Sequence, residues 1–455
     1  MDKINHADQW KLQPKNIGKM RKILFLLWIS GWVLLTGAQN AGNGFLTGQP
    51  EDAGMSSMRL QKAGELIDQY IADGKLPGGV FMAVRYGQVV FLKAAGNRSV
   101  DPPAPYREND IFRIASMTKA VTSVAIMQLY EDGRLGIDDP VYKYLPSFEK
   151  QTVLDKFNEK DSTWTTVPVK SPVTIRHLLT HTSGITYGEF NRGKIMAVYQ
   201  KNNVLNAGLS HAEWTSEEFI DRLGKTPLVF QPGERYLYGL NMDVMGRIVE
   251  VVSGETLQDY FRKNIFEPLG MEDTWFYLPA DRHDRLVPVY TVNREGQIVQ
   301  ADASNAMGAD INYPLREERP FYAGGGGLAS TAKDYARFIQ ALVNEGVFNG
   351  SRILSRKTIE MMTSDQMILL NKEGKGISSR PGETFCLGFS LLTEEGNGIN
   401  SKSPGTYEWG GYFNTKFFID PYEHMVFTAM TQIAPFPNEE FWGKLYAILY
   451  SAIED

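Results

Sequence analysis

Residues 112–129 read Phe112-Arg113-Ile114-Ala115-Ser116-Met117-Thr118-Lys119-Ala120-Val121-Thr122-Ser123-Val124-Ala125-Ile126-Met127-Gln128-Leu129. A short apolar run delivers a serine, and a lysine follows three residues later. The segment beyond is apolar on nearly every face until Glu131-Asp132-Gly133. A helix that is hydrophobic all round belongs in a core, and Gly133 suits its C-terminal cap. Ser116 is therefore expected at the mouth of a buried helix. Lys119 lies one turn on, on the same face, within about 5–6 Å at the Cβ level. A serine hydroxyl is a weak nucleophile until a base takes its proton. The positive end of a helix and desolvation both push a lysine toward the neutral form that can act as that base. Backbone N–H groups left over at the helix start can face a developing oxyanion.

The bare pattern Ser-x-x-Lys is weak, since it occurs three times: Ser116/Lys119, Ser147/Lys150 and Ser330/Lys333. Ser147 follows Pro146 in a polar loop, and Ser330-Thr331-Ala332-Lys333-Asp334 reads as a helix cap. Only Ser116 combines an apolar lead-in, a buried helix and a lysine.

On the N-terminal side of this stretch, Leu60, Ala63, Leu66, Ile67, Tyr70 and Ile71 recur at helical spacing between Ser57 and Asp73. Strands at 79–85 and 88–94 follow, joined as a hairpin through Tyr86-Gly87. Residues 134–285 read mostly as helices and loops: one from Thr174 to Ser183-Gly184, one behind the capping box Thr215-Ser216-Glu217-Glu218, one over 241–252 and one over 257–266. Strand patterns return after residue 286. Four glycines occupy 324–327, a helix is expected over 331–343, and 365–384 reads as a surface loop. Strands at 408–420 and 424–431 meet at Pro421-Tyr422, and a closing helix spans 439–453. These elements predict an α/β (α+β) fold, an antiparallel sheet flanked by helices. Its sheet domain is discontinuous, residues 51–135 and 286–455, interrupted by an all-α domain at 136–285. The groove between two such parts is a natural site.

Composition excludes several function classes. Of 455 residues 43% are apolar and 22% charged, ordinary for a globular protein, and the formal net charge is −6. An acidic chain has no electrostatic footprint for nucleic acid. Residues 1–22 are polar and basic, 23–35 are apolar, and Thr36-Gly37-Ala38 offers small residues for cleavage. This reads as a signal peptide over 1–38, with Met20 an alternative start and a leader over 39–50. The apolar run is too short for a comfortable membrane span, so a periplasmic or secreted protein is expected. Cys386 is the only cysteine, which rules out an intramolecular disulfide. His177 and His181 stand four apart, a zinc-ligand spacing, but no glutamate follows the first and no third ligand is evident; capping or packing roles are expected. No metal or cofactor is implied. The chain has no Gly-x-Ser-x-Gly, which disfavours a Ser-His-Asp hydrolase.

Several phrases in order carry a more specific signal. Phe112–Lys119, Asp138-Asp139-Pro140-Val141, Thr174–Gly184, Gln231-Pro232-Gly233-Glu234, Pro268-Leu269-Gly270-Met271 and Gly324–Leu328 resemble the serine hydrolases related to class C β-lactamases, the penicillin-recognising group. The likeness runs from about residue 51 to the C-terminus. It implies a β-lactamase/transpeptidase-like fold and an acyl-enzyme on Ser116, with Lys119 helping to remove the proton. It also implies a tyrosine base, best matched by Tyr238, with Tyr236 the runner-up. The family's third motif matches Trp409-Gly410-Gly411-Tyr412, where the Tyr412 and Ser116 N–H groups would form the oxyanion hole. Two positions depart from the β-lactamases: Leu240 stands where they carry an asparagine, and Trp409 where they carry a cation. Asn241 and Lys416 are the nearest polar substitutes. An apolar Leu240/Trp409 wall favours a neutral acyl ester, and family VIII carboxylesterases look similar in both places. The expected function is a secreted esterase on a small-molecule acyl ester. β-Lactamase, D-amino-acid peptidase or penicillin-binding sensor on a cell-wall-like substrate, and transacylase are the alternatives.

Overall fold

Tyr86 and Gly87 both take left-handed backbone angles, φ 52° and 78°. They turn strand β1 (Gly78–Arg85) back into β2 (Gln88–Val100), as a two-residue hairpin turn requires. In the computed structural model, which describes residues 44–100, 102–188, 193–205, 214–302, 310–377 and 382–455, this hairpin is one end of a long sheet. The expected signal segment 1–38 and leader residues 39–43 lie outside the described residues. After β3 (Pro103–Pro105), the remaining strands of the sheet come from the C-terminal part: β4 (Glu383–Phe385), β5 (Ser390–Leu392), β6 (Tyr407–Gly410), β7 (Lys416–Asp420) and β8 (Met425–Met430). The order is β4-β5-β6-β7-β8-β1-β2-β3, antiparallel throughout. Chain ends meet where Val80 faces Met430 and Arg85 faces Met425. The two prolines of β3 blunt one edge of the sheet.

Side-chain alternation divides the sheet into two apolar faces. Val80, Met82, Val84, Phe417, Ile419, Val426 and Met430 join the larger core. Phe81, Ala83, Phe418, Phe427 and Ala429 join a second core on the other side. Six helices matter here: α1 (Ser57–Ala72), α2 (Thr118–Glu131), α3 (Ile175–Leu179), α4 (Asn241–Ser253), α5 (Ala332–Val343) and α6 (Glu440–Ser451). α1 and α6 pack together over the second face, while α5 lies against β1, β7 and β8 on the first. α2 is buried on nearly every side and packs on α4. It ends at Gly133, which has φ 68°, as the apolar run 120–129 leads one to expect.

Three expectations need correction. Strands Thr152–Asn158 and Thr163–Pro168 form a hairpin inside the region read as all-α. Most of its side chains are exposed, so no apolar alternation marked it; its signal was threonine, valine and aromatic content. The single strand expected over 408–420 is two, β6 and β7, separated by a turn in which Asn414 has φ 65°. The stretch read as a loop, 365–384, contains the short helix Ile368–Lys372. Among the described residues no helix is long and apolar enough to cross a membrane.

Candidate active site

Phe112 and Arg113 bridge to Ala329 and Ser330, and the Ile114 amide donates to the Leu328 carbonyl (3.0 Å). That pairing delivers a single 3₁₀ turn, Ala115–Met117, which runs straight into α2. Ala115 has φ 42°, a strained left-handed angle that a small side chain tolerates best. Ser116 sits at the helix mouth, and Lys119 below it is only 1% exposed. The Lys119 Nζ donates to three oxygens: Ser116 Oγ (3.1 Å), Tyr187 Oη (3.0 Å) and the Gly325 carbonyl (2.5 Å). No salt bridge to Lys119 occurs among the described residues.

The four-glycine run explains the third of these bonds. A Cβ on Gly324 would lie 2.4 Å from the Met242 carbonyl oxygen, and one on Gly325 would lie 2.4 Å from Asp243 Oδ2. Backbone can thus wedge between α2 and α4 only where there is no side chain. The Gly325 N–H donates to Asp243 Oδ1 (3.2 Å), and Thr122 Oγ1 donates to the Gly324 carbonyl (2.7 Å). The run therefore presents a fixed carbonyl to the lysine.

Two tyrosines flank Lys119. Tyr238, chosen from the sequence, lies with its ring centroid 4.7 Å from Nζ, and its hydroxyl accepts from Trp409 Nε1 (3.3 Å). The tyrosine hydrogen-bonded to Lys119 is Tyr187, which the sequence reading missed; the two rings are 5.5 Å apart. Tyr187 lies three residues beyond the Thr174–Gly184 phrase, in a loop without periodicity, and only its closeness to that phrase could have flagged it. Tyr236 packs deeper, against Phe385 (5.3 Å between centroids), and burial pushes its hydroxyl pKa well above the usual tyrosine range.

The Trp409-Gly410-Gly411-Tyr412 stretch closes the other side. Trp409 is half-buried and rests on Tyr238 and Phe385, with centroids 5.4 and 5.5 Å away. The Gly411 amide donates to the Thr415 carbonyl (2.8 Å), and a Cβ there would lie 2.4 Å from the Ile114 carbonyl oxygen. Tyr412 packs against the small cluster containing Ala115, next to Ser116 in the chain. Leu240 does not share in an apolar wall: immediately before α4 it turns inward and is 1% exposed in the main core. The wall is Trp409 with the aromatic rings around it. Neither polar substitute serves. Asn241 is fully buried, bonded to His181 and Ser183. Lys416 faces Ala429, on the side of the sheet away from Trp409.

His177 caps a helix, and His181 lies buried. His177 Nδ1 accepts from the Thr174 amide (3.2 Å) in the cap of α3. His181 is 1% exposed, with Asn241 Nδ2 2.8 Å from its Nδ1. Among the described residues no cluster could hold a metal ion.

A sequence-family model of the β-lactamase family matches residues 63–449. The chain belongs to the β-lactamase family. Within that family it is similar to protein Rv1367c of Mycobacterium tuberculosis, at 32% identity over 80% of this chain and 87% of that one. It is also similar to esterase EstB of Burkholderia gladioli, at 28% identity over 81% of this chain and 88% of that one. Among solved structures, EstCE1, described as a hydrolase with promiscuous acyltransferase activity, superposes with a TM-score of 0.73 at 24% identity. That match covers 87% of this chain and 99% of the other. The β-lactamase/transpeptidase-like fold is thus shared, and this β-lactamase-family chain is a serine hydrolase.

The same histidines give the β-lactamase-family fold a pH dependence. Burial, and secondarily the Lys119 charge, holds His181 well below the usual histidine value of 6.5; burial also lowers His177. The unfolded chain then binds more protons than the native one below pH 6.5, so stability falls as pH drops through that value. Each fully depressed histidine contributes about 1.4 kcal/mol per pH unit. Thermal melts between pH 7.5 and 5 should show a declining melting temperature, with a shallower slope in His181→Asn. Equal slopes would contradict a neutral buried His181.

Proposed function

We propose that this chain is a carboxylesterase that acts on small neutral acyl esters through an acyl-enzyme on Ser116, and that it works outside the cytoplasm. The observation that carries the reading is the unbroken hydrogen-bonded path from Ser116 Oγ through Lys119 Nζ to Tyr187 Oη. Ser116 Oγ attacks the ester carbonyl as its proton passes into the Lys119–tyrosine pair. The tetrahedral oxyanion is received by the Ser116 and Tyr412 N–H groups. Collapse breaks the bond to the alkoxide, which takes up the proton and leaves as the alcohol. Water then repeats the sequence on the acyl-enzyme, giving the acid and restoring the serine. Lys119 and Tyr187 relay the proton, and Tyr238, fixed by Trp409, borders the leaving-group side.

Trp409 supports a neutral substrate. A β-lactam carboxylate or peptide C-terminus needs a cation where this indole stands, and Lys416 faces the other way. EstB, an esterase, is a relative over most of the chain. The basic then apolar residues 1–35 support export; cell fractionation with mass measurement of the exported chain tests that part.

The functional test is turnover of p-nitrophenyl butyrate and of a chromogenic cephalosporin, with Ser116→Ala as control. Serine-dependent ester turnover with little lactam opening is expected. Faster lactam opening than ester hydrolysis contradicts the neutral-ester reading. Added butanol distinguishes transfer: butyl butyrate replacing butyrate as the main product identifies a transacylase.

A further inference from the structure

We infer that His181 is a positioning residue whose neutral imidazole holds the Tyr187 and Tyr238 segments in register around Lys119. The inference rests on the Ser116 reading above and extends it to a group that touches no reacting atom.

The two tyrosines come from separate loops, residues 181–187 after α3 and 236–240 before α4. Nothing in their local sequence fixes their spacing, yet their rings are 5.5 Å apart and lie 5.5 and 4.7 Å from the same ammonium. His181 joins the loops twice. Its carbonyl accepts from the Leu237 amide (2.8 Å), next to Tyr238. Its Nδ1 lies 2.8 Å from Asn241 Nδ2. Asn241 Oδ1 in turn accepts from Ser183 Oγ (2.5 Å), which accepts from the Ile185 amide (3.0 Å), two residues before Tyr187.

This chain of donors has a direction. The Ser183 hydroxyl takes the Asn241 oxygen, so the Asn241 amide group must donate to His181. Nδ1 must then be the acceptor, and the ring proton sits on Nε2. That Nε2 is buried and has no hydrogen-bond partner among the described residues. The imidazole ring sits among aromatic rings, with the centroid of Tyr238 at 4.8 Å and those of Tyr236 and Phe385 in edge contacts at 5.9 and 5.6 Å. An unpartnered buried N–H is costly, and a leucine in its place would avoid that cost. What the histidine supplies is the joint between the two loops. Its backbone, at φ 53°, turns the end of α3 so that ring and carbonyl point at the same neighbour. Gly239 completes the joint, since a Cβ there would lie 2.3 Å from Thr186 Cα.

Two substitutions separate the acceptor from the ring. His181→Phe keeps an aromatic ring against Tyr238 and removes the acceptor. His181→Asn restores an acceptor near the Nδ1 position and tolerates a left-handed backbone. The readouts are the rate of Ser116 labelling by a fluorophosphonate probe, located by peptide mass spectrometry, and kcat and KM on p-nitrophenyl butyrate. Melting temperatures are recorded for each variant. His181→Phe should lower the labelling rate and kcat by between about 10- and 100-fold, the range that a misplacement of about 1 Å produces, with KM unchanged. His181→Asn should recover most of both. Wild-type labelling of His181→Phe, or equal losses in both variants, overturns the inference and leaves the Ser116 reading standing. A wild-type protein that neither labels nor turns over overturns both.

Discussion

Lys119→Met leaves a folded protein whose acylation by p-nitrophenyl butyrate is slower by about 10²- to 10⁴-fold, the range typical for loss of a general base. Methionine fills nearly the same buried volume and removes all three donors. Ser116 Oγ then has no acceptor for its proton, and Tyr187 loses its link to the serine. Stability should change little by comparison. The lysine has no salt-bridge partner among the described residues, so its removal strands no carboxylate, the circumstance that makes breaking a buried pair costly. The vacated Gly325 carbonyl is the main loss, about 1–3 kcal/mol if it stays unpaired. Stopped-flow release of p-nitrophenol measures the rate, and a thermal melt measures the fold. Acylation within tenfold of wild type would remove Lys119 from the mechanism.

Gly411→Ala should cost about 10²–10³ in kcat, the range for loss of one oxyanion donor. The new Cβ would lie 2.2 Å from Thr415 Oγ1 and 2.4 Å from the Ile114 carbonyl oxygen. The hydroxyl can rotate away, but the carbonyl belongs to the backbone that leads into Ser116 and cannot. Either β6 recedes or the Ala115–Met117 turn moves, and in both cases the Tyr412 and Ser116 amides part. Gly410→Ala is the internal control. Its Cβ would lie 3.0 Å from Lys416 Cδ, a flexible side chain, and 3.0 Å from the Thr415 carbonyl oxygen. Its loss should be no more than about a tenth of that for Gly411→Ala on the same scale. Steady-state kinetics on one ester orders the two variants, and equal losses would contradict the placement of the oxyanion donors.

The sequence was most informative where one physical requirement dominated. An apolar run with no polar face had to be a buried helix, so Ser116 and Lys119 could be placed at its mouth before any coordinates. The glycines at 324–327 and 410–411 marked close backbone approach, although what they approach became visible only in the fold. Tyr187 was missed because its relation to Lys119 spans 68 residues and rests on a loop-to-loop contact that no local period encodes. Leu240 was read as substrate-facing because it stands where the β-lactamases carry an asparagine; at the start of α4 it turns inward instead. The hairpin at 152–168 stayed hidden because strands exposed on most of their surface carry no apolar alternation. His181 was set aside as a packing residue, and only its bonds to Leu237 and Asn241 show which elements it joins.

The most direct test of the central claim is chemical. Wild-type protein is mixed with p-nitrophenyl butyrate, quenched in acid during turnover, digested and mapped by mass spectrometry, with Lys119→Met treated in parallel. A butyryl group on the peptide containing Ser116, present in wild type and scarce in Lys119→Met at the same early time, is the predicted result. Turnover with no adduct on Ser116, or with the adduct on another residue, would contradict the account.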